Sequence, residues 1–214
     1  MAPLVVGFDL DLTLVDSRPG IAATLRALSD RTGVFIDADA AVTRLGPPLD
    51  VELALWYPIA EVAAMADLFR QLYPTTAIAS SPALPGAIEA FAAVRARGGR
   101  VVVITGKFEP NARLHLAYLG LEADAVVGWA WAEGKVSAMT EYGVTVYLGD
   151  HPADMAAARA VPATAIGVLT GAHSADELRA AGADTVLENL TDFPQWLEQR
   201  HDVGWVGTQG SLAW

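Results

Sequence analysis

The sequence predicts a doubly wound α/β fold, in which helices cover both faces of a parallel sheet. Two observations predict it. Short apolar runs that are rich in Val and Ile, with no polar alternation, are typical of buried parallel strands. Segments with helical periodicity lie between these runs. The predicted strands span 4–8, 101–104, 145–148 and 163–168, and the helices that alternate with them span 86–97, 110–119, 134–142, 152–160 and 175–181.

Polar residues and glycines follow the predicted strands at the points where they end. Asp9 follows the first strand, Thr105 the second, and Asp150 the third, after Gly149. Right-handed crossovers place the carboxyl ends of parallel strands at one edge of the sheet. Ligands bind at that edge in open α/β sheets, so we expect the functional site there.

The long interval between the first two strands predicts an inserted unit. The helix at 86–97 is sufficient for the crossover, which leaves residues 18–81 as surplus. Helical patterns at 21–31, 51–56 and 59–73 indicate a helical cap, which would exclude water and select substrate. The predicted core domain spans 1–17 and 82–200, and the predicted cap domain spans 18–81. A C-terminal tail with two tryptophans spans 201–214.

Composition excludes several classes of function. Of 214 residues, 53% are hydrophobic, which is enough for a buried core. The net charge of −11 argues against a nucleic-acid-binding face, and the absence of cysteine excludes disulfides and thiolate metal sites. The start has no basic signal region, and the longest uncharged run, 71–88, contains three prolines. We therefore expect a cytoplasmic protein that binds neither nucleic acid nor membrane.

Three carboxylates, or four if Asp154 is included, are predicted to meet at the ligand-binding edge. Asp9 and Asp11 are two positions apart, so they point to the same side of an extended chain. Two close carboxylates in an apolar setting require a cation or a shared proton. Asp150 and Asp154 add oxygen ligands, although Asp150 ahead of Pro152 also fits a helix cap. A set of carboxylates favours Mg²⁺, which keeps positions for water and a substrate phosphate.

Two further segments contain candidates for anion binding. Thr105, Gly106 and Lys107 combine a hydroxyl, a glycine backbone and a nearby helix start, which is an arrangement that binds anions. Lys135 opens the helix at 134–142, where the helix dipole favours anions and gives a lysine no stabilisation. Lys135 is therefore either a solvated surface lysine or a functional one.

Together these motifs resemble the haloacid dehalogenase-like hydrolase superfamily. The closest likeness is to its phosphoglycolate-phosphatase-like branch with a small helical cap, over residues 4–198. The specific element is the Asp-x-Asp-x-Thr motif at 9–13, and the four motifs in order strengthen it. The resemblance implies that Asp9 is the nucleophile that forms an aspartyl phosphate. It also implies that Asp11 protonates the leaving oxygen and then deprotonates water.

The resemblance implies the remaining roles as well. Thr105 would hold a phosphoryl oxygen, and Lys135 would stabilise the charge on the nucleophile and the phosphate. The Mg²⁺ ligands would come from Asp9, the backbone carbonyl of Asp11, and Asp150, with Asp154 in support. The predicted substrate-binding residues are Thr13, Arg18, Arg44, Gly106 and Lys107.

The chain departs from the family pattern at two motifs. Gly106 stands where the family often has Asn after the motif threonine. Lys135 is followed by Val136, where the family usually has proline, and lies only 15 residues before Asp150. Lys107 is therefore an alternative for the charge-stabilising lysine, although we assign that role to Lys135.

The histidines give a weaker signal. His151 follows the last motif aspartate, where a small hydroxyl residue is common, and it would either contact metal-bound water or cap the helix. The other histidines are scattered, and we expect them at the surface: His115, His173 and His201.

The predicted function is a Mg²⁺-dependent phosphatase acting on small phosphorylated metabolites, either phosphoglycolate-like molecules or sugar phosphates, as a monomer or homodimer. Arg18 and Arg44 could bind a second anionic group bidentately or only pair with surface acids. A sugar phosphomutase is less favoured, because those relatives usually carry Gly where Thr13 stands. Asp11 disfavours a dehalogenase or a phosphonatase-like relative. A non-catalytic binding protein with the same fold is the remaining alternative.

Overall fold

A six-stranded parallel sheet forms the centre of the computed structural model, which describes residues 3–201. The strand order is β3-β2-β1-β4-β5-β6. The strands are β1 (Val5–Phe8), β2 (Arg100–Ile104), β3 (Ala125–Val127), β4 (Val146–Gly149), β5 (Thr164–Val168) and β6 (Thr185–Leu187). The predicted α/β fold is confirmed. The predicted tail lies outside the described residues, except for His201 at the end of the last helix.

The four predicted strands are the four central ones, and the two edge strands were missed. β3 and β6 have only three residues each, which is too short to give a recognisable pattern. Phe8 of β1 pairs with Val103 of β2 on one side and with Leu148 of β4 on the other. This register brings Asp9, which follows β1, to the same edge as the ends of β2 and β4.

Helices cover both faces of the sheet, which explains why the strands are apolar without alternation. Phe8, Phe91 and Phe193 belong to the hydrophobic cluster on one face. Tyr147 and Met155 belong to the cluster on the other. The helices of the core are α5 (Ala87–Ala96), α6 (Glu109–Leu119), α7 (Glu133–Tyr142), α8 (Pro152–Arg159), α9 (Ala175–Ala180) and α10 (Phe193–His201).

Four helices between β1 and α5 correspond to the predicted helical cap. Its helices are α1 (Arg18–Thr32), α2 (Ala38–Ala41), α3 (Leu49–Leu53) and α4 (Ile59–Thr76). They bury a separate hydrophobic cluster that includes Leu25, Leu53 and Phe69. The limits of the cap at 18 and 81 stay a prediction. Within residues 3–201, no helix combines the length and the apolar character needed to cross a membrane.

A buried hydrogen bond joins the cap to the core. The hydroxyl of Tyr73 in α4 lies 2.9 Å from Nε2 of His115 in α6, and both residues are buried. The expectation of a surface position for His115 was wrong, because its helix face packs under the cap. Burial lowers the pKa of His115 to about 4, with a further contribution from the positive charge of Lys107.

The neutral form of His115 should make stability depend on pH. An unfolded histidine has a pKa near 6.5, whereas that of His115 in the folded protein is about 4. The stability that comes from keeping His115 neutral is therefore complete above pH 6.5 and is lost as the pH falls towards 4. His115→Gln keeps a polar partner for Tyr73 but does not titrate. Between pH 7 and 5, we expect the free energy of unfolding to fall by about 2 kcal/mol less in His115→Gln than in the wild type. Urea denaturation at a series of pH values measures this, and equal pH slopes would contradict it.

Candidate active site

Three buried aspartates meet at the edge of the sheet. Asp9 follows β1, Asp150 follows β4, and Asp154 lies in the first turn of α8. One oxygen of each carboxylate lies within 4.8 Å of the other two. Gly149 permits this approach, because a Cβ at that position would lie 2.4 Å from the Asp154 carboxylate. Asp154 is also fixed by the backbone N–H of His151, which donates to its Oδ2 over 3.2 Å.

Lys135 stands between two of these carboxylates. It lies in the first turn of α7 and is buried, with its Nζ 3.0 Å from Oδ1 of Asp9 and hydrogen-bonded to Asp154. Burial alone would lower the pKa of Lys135, but the negative charges of Asp154 and Asp9 raise it well above its usual value. The lysine therefore keeps its positive charge beside Asp9.

The carboxylates carry more negative charge than Lys135 neutralises. Burial raises the pKa of Asp9 to about 7 in spite of Lys135, and it raises the pKa of Asp150 well above its usual value. Oδ1 of Asp9 is buried and forms an ion pair with Lys135 at 3.0 Å, but it accepts no well-aligned hydrogen bond from the described residues. A buried carboxylate oxygen with no hydrogen bond and an all-oxygen donor set fit a hard divalent cation. Asp9, Asp150 and Asp154 are thus able to hold a metal ion.

Asp11 is paired with the other candidate lysine. Nζ of Lys107 donates to both carboxylate oxygens of Asp11, over 2.7 and 2.9 Å. Desolvation would raise the pKa of Asp11, but the Lys107 ammonium outweighs it and lowers the pKa below its usual value. Leu12 has a φ of 59°, which closes a tight turn between Asp11 and the residues that follow. The two lysines therefore serve different aspartates: Lys135 contacts Asp9, and Lys107 contacts Asp11.

The two motif threonines lie in the same region. Thr105 is buried at the end of β2, and its Oγ1 accepts the backbone N–H of Lys107 over 3.2 Å. The hydroxyl of Thr13 donates to Oδ1 of Asp150 over 3.2 Å. Thr13 thus holds a carboxylate of the cluster, and its substrate-binding role stays a prediction.

A cavity of about 330 Å³ lies between the sheet edge and the cap, a volume at the small end of the usual range for ligand sites. The predicted site residues on its wall are Asp9, Asp11, Arg44, Thr105, Gly106, Lys107, Lys135, Asp150 and Asp154. Thr13 and Arg18 are not part of the wall, and Arg18 pairs with Asp16 at 2.7 Å. Arg44 does line the cavity, with its guanidinium 2.7 Å from Glu52.

His151 caps a helix, which is one of the two roles predicted for it. Its Nδ1 accepts the backbone N–H of Ala153 at the start of α8, over 3.0 Å. The ring also supports the cap, because a Cβ on Gly46 would lie 2.7 Å from His151 Cδ2. His151 therefore fixes both α8 and the cap loop above it.

Sequence reasoning missed several residues of the cavity wall, among them Arg70, Tyr73, Trp129 and Trp131. The two tryptophans follow β3, the edge strand that was too short to predict. The pattern that could have indicated these tryptophans is that they are two positions apart in a short segment between a strand and a helix.

Comparison with known proteins agrees with this geometry. The sequence profile described as haloacid dehalogenase-like hydrolase matches residues 6–159, so the chain belongs to that family. A protein of Dickeya dadantii named "Probable phosphatase IndB" is 31% identical and aligns with 90% of this chain and 92% of its own length. The phosphoglycolate phosphatase of Xylella fastidiosa is 31% identical, with 87% and 89% coverage. A haloacid dehalogenase-like hydrolase structure from Streptococcus pneumoniae superposes with a TM-score of 0.78 at 20% identity, with 91% and 98% coverage.

The different partners of the two lysines lead to a prediction about their replacement. Lys135→Met removes the positive charge beside Asp9 and should reduce kcat by about 10²–10³, as expected for loss of a charge-stabilising donor. Lys107→Met removes a charge beside Asp11 and should cost distinctly less. Steady-state kinetics with a phosphate ester and Mg²⁺ measure both, with circular dichroism to verify folding. A larger loss for Lys107→Met would assign the charge-stabilising role to that lysine.

Proposed function

We propose that this family member is a Mg²⁺-dependent phosphatase that hydrolyses small phosphorylated metabolites through an aspartyl-phosphate intermediate. The observation that carries the proposal is the position of Asp9. Its carboxylate lies on the wall of a small cavity, beside the Lys135 ammonium and within a cluster of oxygen ligands. Relatives that are named phosphatases and align with about nine-tenths of the chain support the same activity.

The first proposed step transfers the phosphoryl group to Asp9. A carboxylate oxygen of Asp9 bonds to phosphorus, the ester P–O bond breaks, and Asp11 gives its proton to the leaving oxygen. In the second step Asp11 takes a proton from water, whose oxygen bonds to phosphorus. The bond between phosphorus and Asp9 breaks, which releases inorganic phosphate and regenerates the carboxylate.

The surroundings of Asp11 support both of its roles. The ion pair with Lys107 favours the carboxylate form, which the second step requires. An incoming phosphate adds negative charge beside Asp11 and attracts Lys107, and both effects favour the protonated form that the first step requires.

The other site residues bind the phosphoryl group and balance its charge. The Thr105 hydroxyl and the backbone around Gly106 lie on the cavity wall, where they can donate to phosphoryl oxygens. Lys135 stabilises the negative charge on Asp9 and on the phosphoryl group. Mg²⁺ bound by Asp9 and Asp150, with Asp154 in support, would neutralise further phosphoryl charge.

A simple assay separates this function from its alternatives. Hydrolysis of p-nitrophenyl phosphate with Mg²⁺, and its loss on addition of EDTA, would support a metal-dependent phosphatase. A folded protein that releases no phosphate would support the alternative of a binding protein. Interconversion of sugar phosphates faster than their hydrolysis would support a phosphomutase.

Replacement of the proposed nucleophile should abolish turnover. Asp9→Asn should reduce kcat by about 10³ or more, because an amide does not attack phosphorus. The matched control is Asp39→Asn, which makes the same chemical change on the exposed surface of the cap, away from the cavity. Phosphate release is measured for both variants with saturating Mg²⁺. Near wild-type turnover in Asp9→Asn would show that the covalent mechanism is wrong.

Replacement of Asp150 should weaken the metal site. Asp150→Asn keeps an acceptor for the Thr13 hydroxyl but removes a negative charge from the cluster. The Mg²⁺ concentration needed for half-maximal activity should rise by about tenfold or more. Titration of activity with Mg²⁺ measures this change. An unchanged titration curve would exclude Asp150 from the metal ligands.

A further inference from the structure

The cavity wall has a chemical character that the proposed reaction does not explain. Three large apolar side chains with more than half of their surface exposed line it: Val51, Leu55 and Trp129. Val51 lies in cap helix α3 and Leu55 just beyond it, whereas Trp129 follows β3. Exposure of apolar surface to water is unfavourable, so its concentration at one cavity indicates an apolar ligand group.

Trp129 is held firmly at this wall. It has a φ of 57°, a strained conformation for a bulky residue that persists only where the surroundings enforce it. Its backbone N–H donates to the backbone carbonyl of Lys107 over 2.9 Å. The ring centroid lies 5.5 Å from that of Phe108 and 4.4 Å from the guanidinium carbon of Arg70. A side chain that is 57% exposed is thus positioned before any ligand arrives.

Trp131 extends the aromatic wall to the proposed phosphoryl site. Its ring centroid lies 5.3 Å from that of His151. A Cβ on Gly106 would lie 3.6 Å from the Trp131 ring. Because Gly106 has no side chain, the apolar face of Trp131 lies uncovered beside the backbone that is proposed to bind the phosphoryl group.

The cationic side chains of the wall are already paired. Nε and Nη2 of Arg44 donate to Glu52 over 3.3 and 2.7 Å. Arg70 pairs with Asp67 at 2.9 Å and with Asp50 at 3.3 Å. Both lysines of the wall contact aspartates of the site. Among the described residues that line the cavity, no Arg or Lys lacks a carboxylate partner, so a second anionic group on the substrate would have to break an ion pair.

We infer that the phosphate ester hydrolysed at this site has an uncharged aromatic leaving group that packs against Trp129 and Trp131, and no second anionic group. The inference rests on the proposed phosphatase function and defines its substrate class. It favours an aromatic ester over phosphoglycolate-like molecules, whose carboxylate meets no free cation here. The cavity volume of about 330 Å³ matches a phosphoryl group with one or two rings.

The direct test compares three alkyl phosphates with similar leaving oxygens: 2-phenylethyl phosphate, ethyl phosphate and 2-phosphoglycolate. With Mg²⁺ present, kcat/KM should be about tenfold or more higher for 2-phenylethyl phosphate than for the other two. Equal values, or a preference for 2-phosphoglycolate, would overturn the inference and leave the phosphatase function intact. Hydrolysis of none of the three esters would overturn the proposed function and the inference with it.

Variants of Trp129 test the aromatic contact. Trp129→Ala should lower kcat/KM for 2-phenylethyl phosphate about tenfold more than for ethyl phosphate, and Trp129→Phe should keep most of the preference. The matched control is Tyr118→Ala, which removes an aromatic side chain that is 59% exposed and lies outside the cavity. Equal losses for both esters in Trp129→Ala would overturn the proposed contact.

A gain of activity tests the charge argument. Glu52→Gln releases the Arg44 guanidinium at the cavity wall and should raise kcat/KM for 2-phosphoglycolate about fivefold, with no gain for ethyl phosphate. Asp39→Asn, which releases Arg26 on the cap surface outside the cavity, is the control. Absence of a gain in Glu52→Gln would show that ion pairing of Arg44 is not what disfavours the anion.

Discussion

The structure of the site depends on the repulsion between carboxylates that are buried at one sheet edge. One carboxylate oxygen from each of Asp9, Asp150 and Asp154 lies within 4.8 Å of the other two, and all three residues are buried. One buried ammonium, that of Lys135, offsets part of this charge. The remaining negative charge makes the site attract a cation. Lys135 places positive charge beside Asp9, as the proposed role of Asp9 as a nucleophile requires.

A second chain of contacts connects the reactive edge to the cap. Asp11 pairs with Lys107, whose ammonium lies 4.7 Å from the centroid of the Tyr73 ring, and the Tyr73 hydroxyl bonds to His115. Tyr73 belongs to the cap and the other three residues to the core. The position of the cap and the charge around the proposed acid and base are therefore set by the same residues.

The cap also determines what the cavity offers to the rest of a substrate. Arg44 and Arg70 are paired with carboxylates of the cap, while Val51 and Leu55 contribute apolar surface to the cavity wall. The charges that the cap contributes to the cavity wall are thus balanced within the cap. Trp129 and Trp131 add aromatic surface to the same cavity wall.

The sequence by itself determined the fold class, the central strands and the set of residues at their ends, because buried strands and the motifs that follow them are local patterns. Only the tertiary structure decided which lysine serves which aspartate, that His115 is buried, and that Arg44 is neutralised. Lys107 and Asp11 are 96 residues apart, and Tyr73 and His115 are 42 apart. Such pairs depend on how the cap packs against the core, and no local pattern encodes the free energy of contacts between distant segments.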